Sequence, residues 1–349
     1  MSNKVAIVSD IHFGVNKNSE LFLNSGVKFF KEQFVPYLKK EKITTILILG
    51  DIFDNRTNIN VRVNDEVYNL FCTVLVDFDV KILVGNHDIY YRTTNEVHSL
   101  KYFNHFPNVE VIDTIKHKQI NGVNAMFCPW IFDYKDKTII EKFDASDADI
   151  LFGHFDIVGF ALNRMKISAE GLTVDAFHKF KKVFSGHYHS PSSKRIGNTE
   201  IVYIGSPYQM TRNDIDESKG FIVLDMNTFK YKRISNETSV KFVSVKYPEI
   251  PDSKIIEGNI VDAVFHLEKK DLEGNIVEKY VELIEKMCPA EKVHIVLNIS
   301  SEHESDFDKV KSKITSIKDL IELYITNSND IENKEEILYE IMKIYEKVK

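Results

Sequence analysis

The sequence predicts an α/β domain over residues 1–235, a small α+β unit over 236–300 and a pair of helices over 301–349. Three observations support this prediction. Short apolar runs alternate with helical patterns in the first segment, two strand patterns precede a helix and another strand in the second, and the third shows only helical patterns. A chain of 349 residues is long enough for two or three domains.

The first segment contains two extended helix patterns, Ser19–Lys40 and Asn60–Asp77. The apolar side chains of the first helix, from Leu21 to Leu38, fall mostly on one broad face, as in a helix that covers a core. From Ile201 to Ile234 the pattern is that of strands separated by turns. We therefore expect helices packed on sheet in this domain.

The second segment predicts a ββαβ unit, and the third predicts two helices with an apolar stripe each. The predicted elements of the second are strands Val240–Tyr247 and Ile260–Leu267, helix Ile276–Met287 and strand Val293–Ile299. In the third, helices Phe307–Ile325 and Ile331–Val348 flank a polar turn at 326–330.

The composition is that of a globular protein, with 43% hydrophobic and 28% charged residues. No apolar run approaches the roughly 20 residues that span a bilayer. Asp10 and His12 interrupt the first apolar run, so a signal-peptide layout is missing there. The three cysteines are far apart and lack zinc spacing. We expect a cytoplasmic protein that does not bind membranes.

The net charge of −7 argues mildly against nucleic-acid binding by bulk charge alone. It does not exclude DNA as a substrate, because bound divalent cations change the local field of a site. A partner subunit could also carry the basic surface.

Metal-binding side chains follow five predicted strands, each at the point where the strand ends. Ligands bind beyond the carboxyl ends of strands in α/β sheets, so these side chains should meet in one crevice. Glycine precedes four of them, which permits sharp turns and close approach of the backbone. The five segments are Asp10-Ile11-His12, Gly50-Asp51, Gly85-Asn86-His87-Asp88, Gly153-His154 and Gly186-His187-Tyr188-His189.

The donor types predict a pair of divalent ions. Imidazole mixed with carboxylate and amide oxygen suits manganese, iron or zinc better than calcium. The candidate ligands exceed what one tetrahedral ion needs, and one bridging carboxylate would divide them into two sites of four. Two such ions can clamp the attacking and leaving oxygens of a phosphoryl displacement. The candidates are Asp10, His12, Asp51, Asn86, His154, His187 and His189.

Each segment alone has a structural explanation. Asp10-x-His12 could be a turn at a strand end, and His187-x-His189 could be two residues on one face of a strand. Five such segments, each directly after a strand, are difficult to explain by chance. The ordered set therefore predicts a function where each member alone does not.

The ordered motifs resemble those of the calcineurin-like metallophosphoesterases, a family whose fold is a two-sheet sandwich flanked by helices. Within it, the chain is similar to SbcD-type nuclease subunits, which include the meiotic-recombination-eleven nucleases, and to the small subunits of phage recombination endonucleases. The resemblance covers most of residues 1–235, including Gly205-Ser206-Pro207 and Lys219-Gly220-Phe221. The domain order, with a cap at 236–300 and C-terminal helices, also agrees.

The resemblance implies a role for each matching residue. His87 would stabilise charge on the scissile phosphate or protonate the leaving oxygen, and Asp88 would orient His87 through a hydrogen bond or cap a helix. The first metal would bind Asp10, His12, Asp51 and His189, and the second Asp51, Asn86, His154 and His187, with Asp51 bridging. Mn²⁺ is the favoured ion, with Mg²⁺, Fe²⁺ and Zn²⁺ as alternatives.

Basic residues near these motifs are candidate phosphate or DNA contacts. Arg56 and Arg92 are the strongest candidates, because each lies a few residues from a metal motif. Cellular nucleases of this branch place a histidine where this chain has Asp54. That departure leaves open whether Asp54 takes part in phosphate chemistry or only braces its loop.

The resemblance implies a DNA exonuclease and endonuclease of recombination and repair that acts with an SMC-like ATPase. It further implies a homodimer of the nuclease subunit, ATPase docking through 301–349, and the host cytoplasm if the chain comes from a phage. One alternative is an enzyme acting on a small phosphoester or cyclic nucleotide. The other is a catalytically dead scaffold, which the filled ligand positions disfavour. The cap and helical tail favour the nuclease, because a small-molecule esterase needs neither.

Overall fold

The computed structural model of the chain describes residues 2–163, 166–268, 276–287 and 290–300, and six positions further on: 333, 334, 337, 338, 341 and 342. The chain divides into two compact units. The first comprises Met1–Ser244, Asp252–Asp262 and Cys288–Val293, and the second begins with Val245–Pro251 and Ala263–Met287 and continues from His294. Within the described residues, no helix is long and apolar enough to cross a membrane.

The first sheet has six strands in the order β14-β13-β1-β2-β3-β4. Strands β1 to β4 are parallel, whereas β13 and β14 are antiparallel additions at the β1 side. The central strands β1 and β2 are mostly Val, Ile and Leu because both of their faces are buried. The bounds are β1 Lys4–Val8, β2 Thr45–Ile48, β3 Asp79–Leu83, β4 Val109–Ile112, β13 Gly220–Asp225 and β14 Tyr231–Ser235.

The second sheet also has six strands, in the order β11-β12-β10-β7-β6-β5. Its four inner strands are parallel and its two edge strands antiparallel. The bounds are β5 Lys116–Ile120, β6 Val123–Cys128, β7 Ile150–His154, β10 Lys182–Gly186, β11 Ser192–Ile196 and β12 Thr199–Tyr203. Strands β8 Ala161–Asn163 and β9 Lys166–Ile167 pair antiparallel in a separate two-stranded sheet.

The two sheets pack face to face. One buried cluster contains Ile7 of β1 and Leu47 of β2 together with Phe152 of β7 and Phe184 of β10. Side chains alternate across a strand, so these residues form the inner layer while their neighbours face the helices. The predicted two-sheet sandwich is confirmed.

Helices cover the outer faces of the sandwich. The predicted helix Ser19–Lys40 is three consecutive segments, α2 Glu20–Lys28, a π-helical turn Phe29–Phe34 and α3 Val35–Glu41. The predicted helix Asn60–Asp77 is α4 Val61–Asn69 and a π-helical segment Leu70–Val74. Other helical segments are α5 Lys137–Asp144 and the 3₁₀ turns Ser99–His105, Val174–Phe177 and Arg212–Asp214. The short segment α1 Val15–Asn18 is a left-handed turn, with φ of +55° at Asn16 and +60° at Lys17.

The second helix ends three residues before the predicted Asp77. Leu75 and Phe78, which follow the helix in the sequence, are both buried. Both residues lie in the turn that leads into β3, and their side chains pack in the core next to the helix. Asn60 begins the helix as predicted, because its side chain accepts the N–H groups of Arg62 and Val63.

The remaining strands form a three-stranded sheet in the order β15-β16-β17. The elements are β15 Phe242–Lys246, α6 Ser253–Ile256, β16 Ile260–Glu268, α7 Ile276–Met287 and β17 Lys292–Ser300. Helix α7 has the predicted bounds, whereas α6 was not predicted. In the second unit, the rings of Tyr247, Phe265 and Tyr280 pack with centroids 5.2–5.5 Å apart.

The two predicted C-terminal helices, Phe307–Ile325 and Ile331–Val348, lie outside the described residues apart from the six positions named above. The predicted domain boundaries at 235 and 300 stay predictions.

Candidate metal centre

Loops and strand ends from both sheets meet at one end of the sandwich. The His187 N–H, after β10, donates to Asp10 Oδ1, after β1, at 2.9 Å. His154, the last residue of β7, places Nδ1 2.6 Å from the carbonyl oxygen of Leu49 after β2. These contacts join the carboxyl ends of strands in two different sheets. The structure thereby brings together all seven predicted ligand residues: Asp10, His12, Asp51, Asn86, His154, His187 and His189.

The first group of donors comprises Asp10, His12 and His189, whose ligand atoms lie within 4.8 Å of one another. The Nε2 atoms of His12 and His189 are 3.0 Å apart. Asp10 Oδ2 is buried and has no hydrogen-bond partner among the described residues. A buried carboxylate oxygen without a donor is costly unless a cation satisfies it.

The second group comprises Asp51, His154 and His187, again within 4.8 Å of one another. Asn86 belongs with them, because its Oδ1 lies 2.9 Å from His154 Nε2 and 2.9 Å from His187 Nδ1. The Leu49 carbonyl can only accept, so His154 Nδ1 carries the proton and Nε2 presents a lone pair in neutral imidazole. That lone pair converges with the Asn86 oxygen.

Asp51 lies between the two groups. Its Oδ2 is 3.6 Å from His12 Nε2 and 3.4 Å from His154 Nε2. Its Oδ1 accepts the N–H of His87 at 2.8 Å. The Asp51 carboxylate thus faces an imidazole of each group.

The donor set fits divalent metal ions. Lone pairs of imidazole, carboxylate and amide groups converge in a buried space, and they repel one another unless a cation lies between them. The mixture of nitrogen and oxygen donors suits manganese, iron and zinc. The His/Asp clusters are therefore consistent with a two-metal site.

Burial and neighbouring charges shift the pKa values of several residues in the site. Burial acts to raise the pKa of Asp51, but the charges of His154 and His12 outweigh it and hold that pKa well below its usual range. Burial acts to lower the pKa of His154, but the Asp51 carboxylate raises it to about 9, so Nε2 must lose a proton before its lone pair can bind a metal ion. Burial and the neighbouring His189 hold the pKa of His12 well below its usual range, which keeps that imidazole in its metal-binding form.

Glycines allow the loops to approach so closely. A Cβ atom on Gly85 would lie 2.2 Å from Asp51 Oδ1, and one on Gly186 would lie 2.1 Å from Ser9 Oγ. Gly50, directly before Asp51, has a φ of +94° and would also place a Cβ 2.5 Å from His154 Nδ1. Any side chain at these positions would displace a ligand or the loop that holds it.

Four of the candidate ligands have left-handed backbone conformations. The φ angles are +54° at Asp10, +49° at His12, +56° at Asp51 and +91° at His187. Residues other than glycine rarely adopt this region, although Asp and His do so more often than most. The turns that aim these side chains into the cluster therefore require uncommon backbone geometry.

His87 lies beside the two groups. Its Nδ1–H donates to the carbonyl oxygen of Asp54 at 2.6 Å, which leaves Nε2 as the free ring nitrogen. His87 lines an open pocket of about 290 Å³ together with Asp51, His187, Tyr188, His189, Ser190, Asn213 and Asp214. Ligand atoms of His12, Asp54 and His87 also lie within 4.8 Å of one another. The contact of His87 to a phosphate stays a prediction.

The Asp54 side chain is half-buried, and one carboxylate oxygen lies 3.6 Å from His12 Nδ1. Burial raises the pKa of Asp54. Asp54 thus lies next to His12 through its carboxylate and contacts His87 through its carbonyl oxygen. Its role in phosphate chemistry or in bracing its loop stays open.

The predicted hydrogen bond from Asp88 to His87 is wrong, and so is the alternative of a helix cap. Asp88 Oδ2 accepts the N–H groups of Asp51 and Gly85, and Oδ1 accepts that of Ile52. No helix begins there, since the backbone continues as a turn. Burial and the Asp51 charge raise the pKa of Asp88 to about 7. Asp88 joins the metal loops instead of orienting the ring of His87.

Asp156 is a site residue that sequence reasoning missed. Its Oδ1 lies 2.8 Å from His187 Nε2 and also accepts the hydroxyl of Tyr188 at 3.0 Å. The hydroxyl of Tyr134 donates to Oδ2 at 3.1 Å. With its Nε2–H directed to Asp156, His187 turns Nδ1 toward the metal cluster, as is usual for a carboxylate behind a metal-binding histidine. The spacing His154-x-Asp156 could have indicated it.

Lys219 was also missed as a site residue. Its side chain is buried, and Nζ donates to the carbonyl oxygen of His189 at 2.8 Å. The same Nζ lies 2.7 Å from Asp214, which offsets the cost of burying its charge. Lys219 therefore supports the backbone of a candidate ligand.

The structure does not bring Arg56 and Arg92 into the metal cluster. Arg56 is partly buried and Arg92 is exposed, and the residues lining the pocket include neither. Their contacts to phosphate or DNA stay predictions.

The chain is similar to several known proteins. Exonuclease subunit 1 of Enterobacteria phage T4 is 28% identical over 333 residues, 94% of each chain. The SbcD subunit of the nuclease SbcCD of Staphylococcus epidermidis is 23% identical over 367 residues, again 94% of each. Putative phosphoesterase 078R of Invertebrate iridescent virus 3 is 23% identical over 259 residues, 71% of this chain and 70% of that protein.

A model of the family described as calcineurin-like phosphoesterase matches residues 3–191, more than half of the 349 residues. The matched segment runs from before Asp10 to beyond His189 and so includes every candidate ligand. The resemblance to SbcD-type subunits is confirmed by the similarities above. The chain belongs to the calcineurin-like phosphoesterase family.

Proposed function

We propose that this chain is a two-metal DNA nuclease that hydrolyses phosphodiester bonds as an exonuclease and endonuclease in recombination and repair. The observation that carries the proposal is the convergence of two groups of metal donors on the Asp51 carboxylate. A scaffold protein has no use for a buried, unsatisfied carboxylate oxygen such as Asp10 Oδ2.

Two divalent ions bound here, preferably Mn²⁺, would supply positive charge to the attacking and leaving oxygens of the phosphodiester. Asp10, His12 and His189 would hold one ion and Asn86, His154 and His187 the other, with Asp51 available to both. Asp156 orients His187 by accepting its Nε2–H. His87, whose Nδ1–H is engaged by Asp54, offers Nε2 to the phosphate as an acid or a charge stabiliser.

Relatives that extend along nearly the whole chain support DNA as the substrate. The two that match 94% of it are named as subunits of an exonuclease and of a nuclease. The chain also continues well beyond the matched family segment, which ends at residue 191. A small phosphoester or cyclic nucleotide remains the alternative, because the same donors would serve either substrate.

The test is digestion of linear duplex and single-stranded DNA by the full chain with Mn²⁺, alongside bis(p-nitrophenyl) phosphate and a cyclic nucleotide. We expect metal-dependent shortening of linear DNA and cutting of single-stranded circles. A preparation that hydrolyses the small esters while leaving all DNA intact would show the alternative to be correct. Loss of all activity on adding EDTA, restored by Mn²⁺, is the control for contamination.

We also propose that an SMC-like ATPase is the partner, bound through residues 301–349, and that the nuclease subunit forms a homodimer in the cytoplasm. A relative named as one subunit of the SbcCD nuclease supports an assembly with another protein. The sequence of 301–349 supports the docking segment. Isoleucines spaced three to four apart give each predicted helix an apolar stripe that must be buried: Ile314, Ile317 and Ile321 on the first, Ile337, Ile341 and Ile344 on the second.

Truncation after Ser300 is expected to leave Mn²⁺-dependent nuclease activity of the isolated subunit largely intact. The candidate metal ligands all lie before residue 191, so the truncation removes none of them. Co-purification with the ATPase and ATP stimulation of cutting should both be lost. Stoichiometric co-purification of the truncated chain would contradict docking through this segment.

A further inference from the structure

A loop with two exposed tyrosines extends from the Gly85-Asn86-His87-Asp88 segment. We call residues 90–97 the tyrosine loop. Its base is closed by a hydrogen bond from the Tyr90 N–H to the Val97 carbonyl oxygen at 2.9 Å and by one from the Ser99 N–H to the Asp88 carbonyl oxygen at 2.8 Å. Ile89 and His98 form an antiparallel bridge between them. The loop is therefore anchored directly to the turn that carries His87.

The loop exposes aromatic surface. Tyr90 is 48% and Tyr91 is 51% exposed, and their rings meet edge to face with centroids 4.8 Å apart. Arg92, the next residue, is exposed as well. The Asn95 side chain donates to the carbonyl oxygen of Asp113, which holds the far side of the loop against the end of β4. Large aromatic side chains are usually well buried, so two adjacent exposed rings indicate a contact surface.

The surface lies close to the candidate phosphate contact. Tyr90 lies three positions after His87 in the sequence, and three residues span at most about 11 Å of extended chain. Neighbouring phosphates along one strand of B-DNA are separated by an axial rise of about 3.4 Å. The backbone of Tyr90 is therefore within about three nucleotide rises of His87.

We propose that Tyr90 and Tyr91 form a stacking surface for nucleobases next to the scissile phosphate, with Arg92 contacting a base face or a neighbouring phosphate. The inference rests on the proposed nuclease function and extends it to the positioning of the substrate. Aromatic side chains stack on every base, so such a surface positions DNA without reading its sequence. Arginine complements it through its planar cation, which stacks on bases and binds phosphate.

Stacking predicts a specific change in substrate binding. Replacing both tyrosines with alanine in the full chain should raise the KM for single-stranded oligonucleotides by roughly 5- to 150-fold, the usual effect of losing one stacked base. The kcat for bis(p-nitrophenyl) phosphate should not change, because the metal ligands are untouched. The conservative variants Tyr90→Phe and Tyr91→Phe should restore DNA binding, since phenylalanine retains the aromatic face.

An abasic residue placed within a few nucleotides of the cut identifies the group that is recognised. For the unmodified chain, this oligonucleotide should show a raised KM. For the double alanine variant, the abasic and normal oligonucleotides should behave alike, because the partner of the base has already been removed. If the abasic residue raises the KM of the double alanine variant as much as it raises the KM of the unmodified chain, the two effects are independent and the inference is overturned.

Tyr68→Ala is the matched control. Tyr68 is 49% exposed and contacts Phe106, but it lies near the end of α4 that leads away from the metal loops. If the double alanine variant of Tyr90 and Tyr91 cuts DNA as well as Tyr68→Ala does, and the unmodified chain is active, the stacking inference fails and the nuclease function stands. If the unmodified chain cuts no DNA, its affinity for an oligonucleotide can still be measured by fluorescence anisotropy. Equal affinity of the unmodified chain and the double alanine variant would overturn the stacking inference. Loss of ATPase co-purification alone would show that the loop binds protein instead.

Discussion

Replacing Asp51 with asparagine is expected to preserve the fold and to reduce Mn²⁺-dependent phosphodiester hydrolysis by about 10²- to 10⁴-fold. The asparagine oxygen can still accept the His87 N–H that Asp51 Oδ1 accepts at 2.8 Å. It cannot replace the negative charge of Oδ2, which lies 3.6 Å from His12 Nε2 and 3.4 Å from His154 Nε2. Steady-state kinetics on linear DNA and on bis(p-nitrophenyl) phosphate, with calorimetric counting of bound Mn²⁺, measures the effect.

Asp225→Asn provides the control for this substitution. Its Oδ1 accepts the N–H groups of Asn227 and Thr228 in the turn after β13. Asp225 pairs with Lys4, the first residue of β1, and is therefore at the end of the sheet opposite the metal centre. This variant should retain full activity. Near-normal hydrolysis by Asp51→Asn at matched Mn²⁺ would contradict a bridging role for Asp51.

Replacing His87 with alanine is expected to reduce cleavage by about 10²- to 10⁴-fold while leaving the number of bound metal ions unchanged. Its Nδ1–H is already engaged by the Asp54 carbonyl oxygen at 2.6 Å, so only Nε2 is available to a substrate phosphate. The backbone N–H that donates to Asp51 survives the substitution. Isothermal titration with Mn²⁺ and single-turnover cleavage of DNA together separate metal binding from chemistry.

The competing role for His87 is that of a metal ligand, since its ligand atom lies within 4.8 Å of those of His12 and Asp54. A loss of one bound Mn²⁺ in His87→Ala would establish that role and exclude the proposed one. His105→Ala, at an exposed histidine of the 3₁₀ turn Ser99–His105, should alter neither metal binding nor cleavage.

The metal centre was predictable because its geometry follows from strand direction. Asp10, Asp51 and Asn86 each follow a parallel strand of the first sheet, and parallel strands present their carboxyl ends along one edge. His154 and His187 follow parallel strands of the second sheet in the same way. A short apolar run and the residue directly after it are both local features, so the sequence alone was sufficient to place these residues together.

Contacts between distant side chains were not predictable in this way. Asp156 acts on His187 across 31 residues, and its effect depends on where two loops cross. Asp88 is adjacent to His87 in sequence, which suggested a bond between them. The fold instead turns its carboxylate toward the backbone of Asp51 and Gly85. Neighbours in sequence compete with loop backbones for the same carboxylate, and only the three-dimensional packing determines which partner it binds.

The left-handed backbone conformation of the candidate ligands lowers the stability of the fold at the residues that supply metal donors. This conformation costs roughly 1–2 kcal/mol for a residue with a side chain, and Asp10, His12, Asp51 and His187 all adopt it. Glycine at any of these positions would relieve that cost while deleting a metal ligand. Substitutions that stabilise the protein at these positions would therefore remove metal donors, whereas the left-handed Lys42 and Phe229 lie outside the candidate ligands and carry no such conflict.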